Sequence, residues 1–154
     1  MKLRDILSEN AIIADLVNHD KRGVLSEFAD LAKFMLPDMN VSPEDVLTIL
    51  LNREKLGSTA VGHGVAIPHG KIPGLNKIVA LFGRSREGVD FQSHDQLPTN
   101  LFFVLLAPES AIGNYLHALA RLSRLMKDEN VRRQIANSAS EGLYEVLLSE
   151  DEKI

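Results

Sequence analysis

Leu101-Phe102-Phe103-Val104-Leu105-Leu106 places six apolar side chains in succession, and Pro108 closes the run. A strand with one wet face alternates apolar and polar residues; one that is apolar throughout reads as covered on both faces. That reading calls for layers above and below the strand, and the flanking sequence offers them. Residues 21–36 set Val24, Leu25, Phe28, Leu31, Ala32 and Met35 along one helix face, with Pro37 where the helix must stop. Ser42-Pro43-Glu44-Asp45 opens a second helix: Ser42 caps it, Pro43 suits the first helical position, and Asp45 completes a capping-box pattern. Val46, Ile49, Leu50 and Arg53 continue that helix, and Gly57 suits a left-handed stop. A glycine-punctuated loop through Gly57, Gly62 and Gly64 leads into Val65-Ala66-Ile67, and a second strand-like run follows at Ile78–Phe82. From Asn114 onward, Leu116, Leu119, Leu122, Ser123 and Met126 predict a long helix, with shorter ones around Val131–Ala136 and Leu143–Leu148. Helices before, between and after buried strands predict an α/β layered domain, strand order and direction staying open. No repeat, low-complexity tract or linker divides the 154 residues, so one domain over 1–154 is expected.

Composition narrows the function classes. Hydrophobic residues make up 45% and charged residues 25%, the balance of an ordinary soluble globular protein. With no cysteine, disulfide staples and thiolate metal sites are excluded. A formal net charge of -4 gives no basic footprint for nucleic acid, and Arg132-Arg133 reads as a solvated helix face or a protein-docking spot. Met1-Lys2-Leu3-Arg4-Asp5 lacks the pattern of a signal peptide, and the longest apolar run, Leu101 to Ala107, is far shorter than a bilayer span. These features predict a cytoplasmic protein with no membrane insertion.

The chemistry points to Gly64-Val65-Ala66-Ile67-Pro68-His69-Gly70. Phosphoryl transfer asks a protein for positioning and charge compensation more than for covalent chemistry. A histidine nucleophile must be neutral, exposed and fixed in rotation. Pro68 locks its own φ and biases Ile67 toward extended backbone. Gly64 and Gly70 let backbone approach closely or adopt positive φ. Val65-Ala66-Ile67 would anchor the segment and leave His69 at a strand's end. An unperturbed imidazole titrates near ~6.5, so its neutral form is well populated near neutral pH. On these features alone, an unremarkable hydrogen-bonded loop histidine is the commoner outcome.

The longer pattern changes that weighting. Arg53-Glu54-Lys55-Leu56-Gly57-Ser58-Thr59 followed by Ala66-Ile67-Pro68-His69-Gly70 resembles the active-site segment of the enzyme IIA domains of the bacterial phosphotransferase system, fructose–mannitol class. Asp95-Gln96-Leu97-Pro98, then Pro108 and Leu119-Ala120-Arg121-Leu122-Ser123-Arg124-Leu125, extend the likeness over nearly the whole chain. The N-terminal Leu3-Arg4-Asp5-Ile6-Leu7 and the Gly57-Ser58-Thr59 motif look most like the nitrogen-regulatory branch. The resemblance implies a mixed β-sheet flanked by helices. It implies a phosphocarrier in which His69 accepts phosphate on Nε2 from an HPr-type carrier protein, a phosphohistidine-linked phosphotransferase. It also implies that no metal or organic cofactor takes part.

The supporting residues divide between function and structure. Arg53 matches the family arginine near the phosphohistidine, and its planar guanidinium offers paired donors to a phosphoryl group; otherwise it is a solvated cation at a helix end. Ser58 and Thr59 either face phosphate oxygens or simply cap a loop. His63, six positions before His69, makes a poor zinc pair with it, since no cysteine and no HExxH pattern accompanies them. Ala60 departs mildly from the nitrogen-regulatory pattern, which often has glycine there. The family usually carries a second histidine seven positions after the closing proline. From Pro108 that position is Tyr115, and a histidine stands instead at His117. Two helical positions are about 200° apart, so His117 cannot replace the missing ring if the helix has begun. Tyr115 could offer its hydroxyl to a phosphoryl oxygen. His117 shares a face with Arg121 and Arg124 that reads as polar surface. Three functions follow: a regulatory phosphocarrier acting on target proteins, a sugar-specific IIA passing phosphate to a IIB component, or a binding module that has lost transfer.

Overall fold

A computed structural model describes residues 1–154. Its centre is the run quoted above. Strand β6 (Thr99–Ala107) is buried at every position except Asn100. Around it lies a six-stranded mixed sheet in the order β1-β5-β6-β3-β2, formed by β1 (Leu7–Ile13), β2 (Ala60–Gly62), β3 (Val65–Ala66) and β5 (Val79–Val89); β4 (His69–Lys71) also pairs with β6. β5 runs antiparallel to β6, whereas β3 and β4 run parallel to it.

Phe102 and Phe103 show why β6 is apolar throughout. Adjacent strand residues point to opposite faces. The Phe102 ring meets Phe28 at 6.1 Å and Phe91 at 5.3 Å, while the Phe103 ring meets Phe82 at 4.9 Å. Phe28 belongs to α1 (Lys21–Met35), which with α2 (Pro43–Lys55) covers the first face. α1 lies so close to β5 that a Cβ on Gly83 would stand 2.4 Å from the Phe28 ring. On the other face sit α3 (Ile112–Lys127), α4 (Glu129–Asn137) and α5 (Leu143–Glu152). All five helices and the sheet share one cluster of 39 buried apolar residues.

The local signals act as the sequence predicts at α2. Ser42 Oγ accepts from Asp45 N at 3.1 Å, and Asp45 returns the bond to Ser42 N at 3.0 Å. Elsewhere the structure departs from expectation. β1 is a strand that Leu-Ser-Glu-Asn-Ala-Ile-Ile does not announce, because Ser8, Glu9 and Asn10 are all exposed. Its register slips between the Leu7–Ala80 and Ile12–Phe82 pairs. β5 runs on past Phe82 to Val89, carried by its ladder with β6. α3 begins at Ile112 and turns Ala118, Leu122, Leu125 and Met126 inward, leaving Leu116 59% exposed. Leu116 lies about 200° around the helix from Ala118, so both cannot face the sheet.

Candidate functional site

β3 and β4 are two pieces of one strand. Val65 stands opposite Leu101 and His69 opposite Leu105, four residues on in each strand, so the interruption neither adds nor drops a residue. At the break, Ile67 N–H turns away to donate to Thr59 O at 3.0 Å, and Pro68 O accepts from Leu105 N at 2.9 Å. Pro68 has no N–H, so on the side facing β6 it accepts one ladder bond and donates none, which is where the strand is interrupted. His69 is thus placed by the register of the central strand. Directly after it, Gly70 lets α2 rest on bare backbone: a Cβ there would stand 2.6 Å from Ile49 Cγ2.

The imidazole is half-buried and held on both nitrogens. Nδ1 lies 2.8 Å from Ile67 O. A carbonyl oxygen only accepts, which assigns the proton to Nδ1 and leaves the lone pair on Nε2. Arg53 Nε–H points at that lone pair from 3.2 Å, while its Nη1 donates to Gly57 O at 2.9 Å, just beyond the end of α2. Burial is the main influence that lowers the His69 pKa; the nearby Arg53 charge adds to it, while the Ile67 hydrogen bond and Glu54 oppose it. The ring is therefore neutral around pH 7, with its unprotonated nitrogen at Nε2.

Tyr115, in the first turn of α3, packs its ring against His69 in a tilted, edge-type contact with centroids 5.6 Å apart. Burial raises its pKa to about 12, so the phenol stays protonated and able to donate. His117 is exposed on another side of the same helix. Arg121, on its face, is bound to Asp151 at 2.7 Å. The structure therefore brings together His69, Arg53 and Tyr115, and leaves His117 outside.

Ser58 and Thr59 spend their hydroxyls on the loop itself. Ser58 Oγ donates to Phe91 O at 2.6 Å, and Thr59 Oγ1 donates to Glu54 Oε2. Sequence reasoning assigns no role to Glu54, yet it organises this corner. Its buried carboxylate accepts from Thr59 N at 3.1 Å and pairs with Lys21 Nζ at 2.9 Å. A carboxylate in the last turn of a helix opposes the dipole, and that anomaly is the signal that could have found it. Asp95 plays a similar part at the β2–β3 hairpin. His63 and Gly64 both have positive φ there, as a type I′ turn requires. Asp95 accepts from His63 N at 2.8 Å. Bonds from Ser93, His63 and Leu97 hold its pKa down at about 2.

The family model for the phosphoenolpyruvate-dependent sugar phosphotransferase system, EIIA 2, matches residues 5–150. The chain belongs to this family. Among relatives of this IIA chain, a nitrogen regulatory protein of Bradyrhizobium diazoefficiens is 42% identical over 148 residues, covering 96% of the chain and 95% of that protein. The fructose-specific EIIABC component of Bacillus subtilis is 33% identical over 99% of the chain, which spans 24% of that longer protein. Among solved structures, the nitrogen regulatory protein IIA-Ntr of Neisseria meningitidis superposes with a TM-score of 0.85 at 35% identity, covering 93% of this chain and 97% of that one. The flanked mixed sheet is the IIA fold, and no helix here is long and apolar enough to cross a membrane.

Proposed function

We propose that this IIA domain, residues 1–154 acting as one unit in the cytoplasm, is a regulatory phosphocarrier charged on His69 Nε2 by an HPr-type phosphohistidine protein. The observation that carries this reading is the Nδ1–H bond to Ile67 O, which fixes the tautomer and leaves Nε2 as nucleophile. In the transfer, the Nε2 lone pair forms a bond to phosphorus while the donor's P–N bond breaks and returns its electron pair to the donor imidazole. The Nδ1 proton stays in place. Arg53 must release Nε2 as the phosphoryl group arrives, and its hold on Gly57 O keeps the guanidinium close enough to meet phosphate oxygens. Tyr115 supplies a neutral hydroxyl beside the ring. Ser58 and Thr59 act by holding the loop, through Phe91 O and Glu54, and His117 takes no part.

The regulatory role rests on the higher identity to a nitrogen regulatory protein matched over almost its whole length. Onward transfer to a IIB component is the second reading, supported by the fructose-specific relative. Incubation with phosphoenolpyruvate, enzyme I and an HPr-type carrier is expected to label the protein with acid-labile phosphate, and His69→Ala to abolish it. Persistent labelling of that variant would overturn the assignment. Rapid transfer to a fructose-type IIB domain would shift the conclusion to sugar uptake.

A further inference from the structure

On the face of the sheet away from α1, β5 carries an arginine into the interior. Arg84 is 1% exposed, yet it has no carboxylate partner. Its Nε donates to Ala14 O at 3.1 Å, and its Nη1 donates to Ile135 O and Ser138 O at 2.9 and 2.7 Å, closing the end of α4. Nη2 is buried with no acceptor at all. Buried guanidinium donors are rarely left unpaired, because they forfeit water without replacement.

Arg84 forms part of the wall of a cleft of about 540 Å³ between the β2–β3 hairpin, β5 and α4. Arg86, Arg132 and Arg133 line the same cleft, each with part of its guanidinium engaged: Arg86 Nε with Asp15 at 2.7 Å, Arg132 Nη1 with Met126 O and Lys127 O at 2.8 Å, and Arg133 Nη2 with Glu129, the one acidic lining residue, at 3.2 Å. Ten of the cleft's thirteen lining residues are polar, charged or glycine, and none is phenylalanine, tyrosine or tryptophan. Its size is that of a small-molecule site. Four arginines around one hollow give it a net positive lining, and their unengaged N–H groups suit phosphate oxygens.

We infer that this cleft is a second ligand site, built for a small phosphorylated metabolite carrying two or more negative charges. The phosphate meets the guanidinium N–H groups of Arg86, Arg132 and Arg133 that remain free, while Arg84, sealed beneath the wall, adds its positive charge from behind. The site is separate from His69. Leu101 of β6 lines it, whereas His69 pairs with Leu105, four residues further along the strand or about 13 Å away. The inference does not depend on the phosphocarrier reading.

Titration of the protein with pyrophosphate at low salt, followed by backbone amide NMR, tests it. Saturable shifts at Gly64, Ser85, Asn100 and Asn137, with a Kd of about millimolar or below, are expected, and acetate at equal ionic strength should not reproduce them. Ala136→Glu sets a carboxylate at an exposed cleft position without touching the core, and should weaken binding about tenfold or more. Arg133→Gln, also exposed, should weaken it less. Shifts centred on Gly70 and Arg53, equal binding by Ala136→Glu, or identical responses to acetate would each overturn the proposal.

Discussion

Arg53 and Arg84 each lend a guanidinium to the carbonyls at the end of a helix, and their surroundings separate what they can do. Arg53 holds Gly57 O beyond α2 and is only half-buried, so in the proposed transfer its second bond, to His69 Nε2, is exchanged for a phosphate. Arg84 holds Ile135 O and Ser138 O at the end of α4 from full burial, and binds Ala14 O as well. Three protein carbonyls on one buried cation make a tie between β1, β5 and α4. One carbonyl and one imidazole make a clamp that can open. Identical chemistry becomes scaffold or machinery according to how much of it water can reach.

The sharpest way to break this contrast is to remove the buried cation. Arg84→Met leaves three carbonyls without their charged donor, and is expected to cost about 3 kcal/mol of stability, visible as a lower denaturant midpoint. A midpoint unchanged from wild type would deny Arg84 its structural share. Next comes Arg53→Leu, for which we expect phosphorylation by the HPr-type carrier to slow about a hundredfold while thermal unfolding hardly moves. A large loss of stability with normal transfer would turn the clamp into a second tie.

A smaller effect concerns pH. His69 in the fold titrates below its ordinary ~6.5, so the Nε2 lone pair survives as the medium acidifies past that value. The phosphorylation rate should therefore fall to half only below about 6.5. Between the lowered native value and ~6.5 the unfolded chain binds more protons, so stability should decrease as pH falls through that window. Arg53→Leu removes the charge that adds to burial in pressing the value down, and should move the midpoint of the rate profile upward. Least of all, Tyr115→Phe keeps the ring against His69 and deletes only the hydroxyl; a change of no more than about threefold in phosphorylation rate is expected. A tenfold loss would make that hydroxyl a principal phosphate ligand.

Much of the fold is legible where local rules suffice. The Ser42-Pro43-Asp45 start of α2 and the unbroken apolar β6 rest on interactions within a few residues or on sheer hydrophobicity. β1 and the far half of β5 are not legible, because their partners, not their composition, hold them. Ser8 to Asn10 carry no strand pattern, and nothing in the sequence marks Arg84 as a residue that the carbonyls of α4 will cover. In α3 the apolar residues outnumber the positions facing the sheet, so periodicity alone could not choose Ala118 over Leu116. At the site, His69 and Arg53 stand out through residue type and motif. Tyr115 is recognisable only as an exception, and its contact with His69 depends on where α3 begins. Glu54 is hidden inside a motif whose charged neighbours draw the eye.

Gly70 bears on how the site can change over generations. The helix that delivers Arg53 rests there on a backbone with no side chain, and the smallest available step, a single methyl group, would already overlap Ile49. Lineages can exchange the ring at Tyr115 or the loop at Ala60 by gradual substitution. At Gly70 the order of steps is constrained: unless Ile49 is trimmed first, a replacement presses on α2, the helix that carries Arg53 to His69.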